Sequence, residues 1–300
     1  MRNTHYIFLK GNLKVIAFIL LMTIPNLRLS AQREYLPTEE DLNHFARTTT
    51  FVVLSDNPLA EYNFEIEDAV RKYWNITDYE FIKHDDFAEK SLDANASFLY
   101  MATVSFEKDR SDNRYMFLCL SLGGTDHETL DDLKDITNIP LAYHGVDEDQ
   151  YCYKLGTLIR FMQNHIRMLL ADPALVSQNV FQHYNENMGD LSQKTLYLVA
   201  DELETSIATE AKLRKVYPND FKIVDREEIR DLIMAGDENA VFLHKVGPEG
   251  KDLNARTYKV LIGAADARFY YYNYHKVNAK NPDAMLENDF RRISKAYQKK

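Results

Sequence analysis

One ordered set of residue patterns occurs twice in this 300-residue chain. Thr50-Phe51-Val52-Val53-Leu54-Ser55-Asp56 is answered by Thr195-Leu196-Tyr197-Leu198-Val199-Ala200-Asp201, each a short apolar run that ends in an aspartate. Val70-Arg71-Lys72 then matches Leu213-Arg214-Lys215, and Asp78-Tyr79-Glu80-Phe81-Ile82 matches Asp220-Phe221-Lys222-Ile223-Val224. Asn95-Ala96-Ser97-Phe98-Leu99 matches Asn239-Ala240-Val241-Phe242-Leu243, Tyr115 matches Tyr258, and Tyr143-His144 matches Tyr274-His275. The spacing stays between 142 and 145 until the last pair, where it drops to 131, so one loop has changed length while the order is kept. A repeat of this kind makes each half one copy of the same plan.

That plan reads β-α-β-α-β-β-β-α. Each opening run is apolar throughout, as a strand covered on both faces must be. Ile66, Ala69, Val70 and Tyr73 fall on one helical stripe over 62–74, and Ile207, Ala211 and Leu213 do so over 204–217. Alternation at 79–83 and 221–224 marks a second strand, parallel to the first through a right-handed crossover. Short helices are expected at 85–93 and 226–235, the latter stopped by Gly236. Runs at 97–106, 113–122 and 137–144, mirrored at 240–246, 256–264 and 267–277, have the short connections of an antiparallel meander. Helices at 150–171 and 282–297 close the halves. The expected fold is therefore α/β: two tandem related domains, 49–171 and 194–300, each a mixed sheet with helices packed on it, joined by an Asn-, Gln- and Ser-rich linker at 172–193.

The start of the chain bears on where it goes. Arg2, Lys10 and Lys14 precede an apolar run from Val15 to Ile24, and small residues follow at Ser30 and Ala31. This is the order of a secretory signal peptide over 1–31, with cleavage between Ala31 and Gln32. The ending Leu29-Ser30-Ala31-Gln32 resembles export signals of Gram-negative bacteria, which implies a periplasmic or secreted product. An arm with a short helix then spans 32–48. Removing four basic and no acidic side chains takes the formal net charge from −10 to −14, which repels nucleic acid despite the basic residues near the C-terminus. No later apolar run is long enough to cross a bilayer. The two cysteines, Cys119 and Cys152, are too few for a four-thiolate zinc site, but export would permit a disulfide between them.

Chemical motifs are sparse. His127-Glu128-Thr129-Leu130-Asp131 has Asp where a zinc protease needs its second histidine, and neither a Gly-x-Ser-x-Gly elbow nor a Gly-x-Gly-x-x-Gly fingerprint occurs. The expectation is no cofactor and no metal. Asp56 and Asp201 end the first strand of each half, the edge where open α/β sheets bind ligands, although a capping or turn-forming role suits them better. His144 and His275 occupy matching places and could serve as bases, but equivalence in both copies favours packing. The run Phe269-Tyr270-Tyr271-Tyr272-Asn273-Tyr274 offers rings for stacking, or for packing against the last helix. The element order resembles that of small periplasmic modules of envelope assembly machines, the N-terminal domain of the TolB type among them. The duplication, the missing catalytic signatures and the aromatic strand lead to the expectation of a non-enzymatic exported protein that binds a protein or envelope component. The alternative is an exported hydrolase with its site between the two domains.

Overall fold

The computed structural model describes residues 36–297 apart from 107, 108, 110, 178 and 250–253. The expected signal peptide, its Ala31–Gln32 cleavage point and the start of the arm lie outside the described residues. The rest of the arm carries α1 (Glu39–Phe45), opened by a capping box in which Thr38 and Asp41 satisfy each other's backbone N–H groups, and it buries Leu42 and Phe45 in the core.

The first half runs β1 (Thr49–Leu54), α2 (Glu61–Tyr73), β2 (Asp78–Lys83), α3 (His84–Lys90), β3 (Ala96–Ser105), β4 (Arg114–Leu122), β5 (Lys134–Tyr143) and α4 (Leu155–Ala171). After short helical turns that include α5 (Val180–His183), the second half runs β6 (Thr195–Val199), α6 (Glu210–Leu213), β7 (Phe221–Val224), α7 (Arg226–Ala235), β8 (Ala240–Val246), β9 (Arg256–Gly263), β10 (Phe269–Lys276) and α8 (Glu287–Tyr297). The two five-stranded sheets have the same topology. Their orders are β2-β1-β3-β4-β5 and β7-β6-β8-β9-β10, parallel around the first strand and antiparallel thereafter. Among the described residues no helix is long and apolar enough to cross a membrane.

Register moves one part of the sequence match by a residue. The Asp93 carboxylate accepts from Asn95 N–H at 2.8 Å, and Asn95 O accepts from Thr49 N–H at 3.1 Å. In the second half Asp237 and Asn239 make the same turn, at 2.7 Å, and Asn239 O accepts from Thr195 N–H at 2.9 Å. Thr49, not Thr50, is thus the counterpart of Thr195, and Asp56 corresponds to Glu202 rather than to Asp201. A strand that is apolar on both faces has no alternation to betray a one-residue slip.

Two further expectations are corrected. Of the helix expected over 204–217 only α6 forms: Leu203 is extended and bridges Met285 just after a short helical turn at Ala200–Glu202, and Pro218 ends the segment. Cys119 and Cys152 are both buried free thiols. Alternation along β4 puts Cys119 beside Tyr115 and Phe117, on the opposite face from Leu118 and Leu120, which share the main core with Cys152.

The halves share that core. Helix α4 is buried around most of its circumference, with Leu118, Ile139 and Leu141 of the first sheet in the same cluster as Val199, Phe242, Val260 and Ile262 of the second. Phe161 on α4 stacks on Phe269 of β10 at 3.4 Å and 5° between planes. Arg160 donates to the carbonyls of Ala264 and Ala265 at 2.7 and 2.6 Å. The segment expected as a linker is pinned to β10: Asn185 donates to Tyr272 O and accepts from Tyr272 N–H, and Asn187 donates to Phe269 O.

The 131-residue spacing also acquires a structural meaning. The β4–β5 connection spans 123–133, whereas β9–β10 spans only 264–268. Leu130 and Leu133 from the longer loop cover Val53 and Phe98, the face of the first sheet whose counterpart in the second, Val199 and Phe242, lies in the core with α4.

Phe161→Ala is expected to cost about 3–5 kcal/mol. Because the core is shared, urea unfolding should remain a single transition by tryptophan fluorescence and far-ultraviolet dichroism; two separated transitions would show that the halves unfold independently.

Candidate functional site

The four residues singled out by sequence occupy separate places. Asp56, beyond β1, is exposed and meets His84 at the start of α3, with Nδ1 and Oδ2 3.7 Å apart. Asp85 joins them, so that one donor atom from each of the three lies within 4.8 Å of the others. Asp201, beyond β6, is instead gripped by Arg226, whose guanidinium donates to both carboxylate oxygens at 3.2 Å and reaches Glu202 Oε1 at 3.8 Å. His144 and His275 are true counterparts, since Tyr143 pairs with Tyr115 as Tyr274 pairs with Tyr258. Their surroundings differ. His144 is exposed just past β5. His275 donates from Nε2 to Pro282 O at 2.9 Å, its Nδ1 is buried without a partner, and burial followed by the charge of Lys259 lowers its basicity. The aromatic run at 269–274 is mostly spent on packing: Tyr271 donates to Asp289 on α8 at 2.6 Å, and only Tyr274 is well exposed.

A second group gathers where the halves meet, and sequence reasoning missed it. Lys154, 3% exposed, and Glu202, 5% exposed, line a small cavity with Arg226, Lys245 and Tyr151. The space is about 20 Å³, room for one water molecule. Glu202 Oε2 is buried without a hydrogen bond, and burial pushes its carboxyl above the ordinary range against the opposing pull of Lys154, Lys245 and Arg226. Lys245 is held by Asp283 at 2.8 Å, and Asp283 also accepts from Thr257. Beside them His244 donates from Nε2 to Pro140 O of the other half at 2.9 Å. One signal was available: Lys154 is a lone charge within Tyr151-Cys152-Tyr153-Lys154-Leu155. A cation in such a run has either to leave the core or to find a buried counter-charge.

An open groove of about 390 Å³ lies at the other end of the first sheet, between α1, the turn at Ala94 and the 123–133 loop. Its lining is polar and of both signs, with Glu40, His44, Arg47, Asp126, His127 and Lys134. His44 donates to Ala94 O at 2.6 Å, which ties α1 to the turn before β3.

Comparison with known proteins gives no match to a family model, to a curated protein or to a solved structure. The chemistry therefore has to be argued from the residues themselves.

Burial makes two imidazoles pH-sensitive. It lowers His244 to about 3, with Lys154 adding to the effect, and His165 to about 4, with His183 adding. An unfolded imidazole takes its proton near 6.5, so protons favour the unfolded chain below that value. The stability these groups contribute is fully present above pH 6.5 and is lost as the pH falls toward 4, with a slope of about 1.4 kcal/mol per pH unit for each. Glu202 and Asp135, both raised by burial, pull the other way as the pH falls below their raised values. His165→Gln is therefore expected to flatten the dependence of denaturation midpoint on pH between 6.5 and 5 relative to the unaltered chain; an unchanged slope would show that His165 does not carry it.

Proposed function

We propose that the chain is an exported, non-enzymatic binding or assembly module of the cell envelope, periplasmic or secreted, whose partner is a protein or other envelope component. The observation that carries this reading is the dispersal of the nominated catalytic side chains: Asp201 is committed to Arg226 and His275 to Pro282, while His144 and Asp56 stand exposed at other places. General acid–base chemistry needs such groups to converge on one substrate, each within hydrogen-bond reach of the proton it moves. The groove beside α1, by contrast, offers both charges and imidazoles to a polar partner on a rigid frame.

Export is tested by fractionating cells that express the full chain: the expected product is periplasmic and begins at Gln32, and a cytosolic product retaining residues 1–31 would overturn it. For the groove, a photo-crosslinking residue at Arg47 should trap one defined envelope component, while the same group at exposed Met234 should not. Equal labelling from both positions would remove the groove from the reading.

The alternative, an exported hydrolase with a site between the halves, draws on Glu202. Burial raises its carboxyl above the ordinary range, and it faces a water-sized cavity beside Lys154. Glu202→Gln that kept its melting temperature but abolished a measured ester or peptide hydrolysis would favour that reading.

A further inference from the structure

The two copies treat one corner of the fold in different ways, and the difference points to a ligand. With register set by β1 on β2 and by β6 on β7, Thr50 opposite Tyr79 corresponds to Leu196 opposite Phe221. Carried forward, this places His84 where the second half has Arg226, each the first residue of the helix after the second strand. It also places Ser55 and Asp56 where the second half has Asp201 and Glu202, and Asp85 where it has Glu227.

In the second half, Arg226 supplies the positive charge that the acidic corner requires, bonded to both oxygens of Asp201 and 3.8 Å from Glu202. The first half keeps Asp56 in the place of Glu202 and Asp85 in the place of Glu227, but it has Ser55 where Asp201 stands and an imidazole where the guanidinium would be. His84 Nδ1 and Asp56 Oδ2 stand 3.7 Å apart, outside hydrogen-bond distance, and with a donor of Asp85 they form a set no wider than 4.8 Å. Donors bound at about 2.1 Å to one tetrahedral ion lie about 3.4 Å apart, so the His84–Asp56 spacing is already close to that of a shared ion. We infer that Asp56, His84 and Asp85 form a site for a divalent transition metal ion, which takes the place at the edge of the first sheet that Arg226 fills internally in the second.

One imidazole nitrogen and two carboxylates suit a late first-row ion such as zinc, whereas magnesium and calcium favour all-oxygen shells. All three residues are exposed, so solvent can complete the coordination sphere and side chains can close on the ion without disturbing the core.

The test is calorimetric titration of the full chain with zinc chloride and, separately, with magnesium chloride. One zinc ion per chain is expected, with at least tenfold preference over magnesium. His84→Ala and Asp56→Asn should each weaken zinc binding by about tenfold or more. His84→Arg should abolish it while leaving the melting temperature unchanged or higher, since the guanidinium then does in the first half what Arg226 does in the second. No zinc binding by the unaltered chain, binding equal to that of magnesium, or zinc affinity unchanged in both His84→Ala and Asp56→Asn would each overturn the inference.

Discussion

The fold depends on a helix that has little surface left for water. Helix α4 follows the antiparallel meander of the first half, and in an isolated copy one of its faces would be exposed. Here the second sheet lies against that face, so that residues as far apart in sequence as Leu158 and Val260 belong to one core. Hydrophobic burial is non-directional, and by itself it would not orient one sheet on the other. Orientation comes from the polar contacts at the ends of the helix surface, where Arg160 caps the Ala264 and Ala265 carbonyls and Asn164 reaches Asp266 O. The Phe161–Phe269 stack lies beside these contacts on the same stretch of the helix.

Much of this architecture was legible in the sequence because the repeat tests each element twice. The strands at 97–106 and 240–246 have different alternation, yet their shared Asn-Ala start predicts the same turn, and Asp93 and Asp237 make it. What could not be read has physical causes. A strand buried on both faces does not fix its own register, so Asp56 was matched to the wrong partner. The helix expected over 204–217 has a helical stripe, but Leu203 gains a bridge to Met285, a contact 82 residues away that no local propensity reveals. The polar cavity between the halves was hidden for the same reason: the apolar run around Lys154 calls for a counter-charge, but nothing local points to Glu202, 48 residues away.

Duplication preserved the scaffold more strictly than the chemistry placed on it. The pairing of Tyr115 with Tyr143 and of Tyr258 with Tyr274 keeps His144 and His275 at the same point of the plan, yet one is solvent-exposed and the other is bonded to Pro282. The ends of the first strands diverge further, with an imidazole in one copy and a guanidinium in the other. A backbone position can thus be inherited while its electrostatic task changes, because a charge at a strand's end is decided by whichever side chain the next helix brings beside it.

The stacking has a direction. The face of the second sheet that receives α4 is the counterpart of the face of the first sheet that Leu130 and Leu133 cover, so the copies associate head to tail rather than about a two-fold axis. Contacts of that kind build rings where the rotation closes and filaments where it does not. The longer β4–β5 loop covers the face of the first sheet that corresponds to the α4-receiving face of the second, and α8 packs on the second sheet where α4 packs on the first. A few extra residues in one connection thus occupy, in the first copy, the surface that the second copy offers to a neighbour's helix.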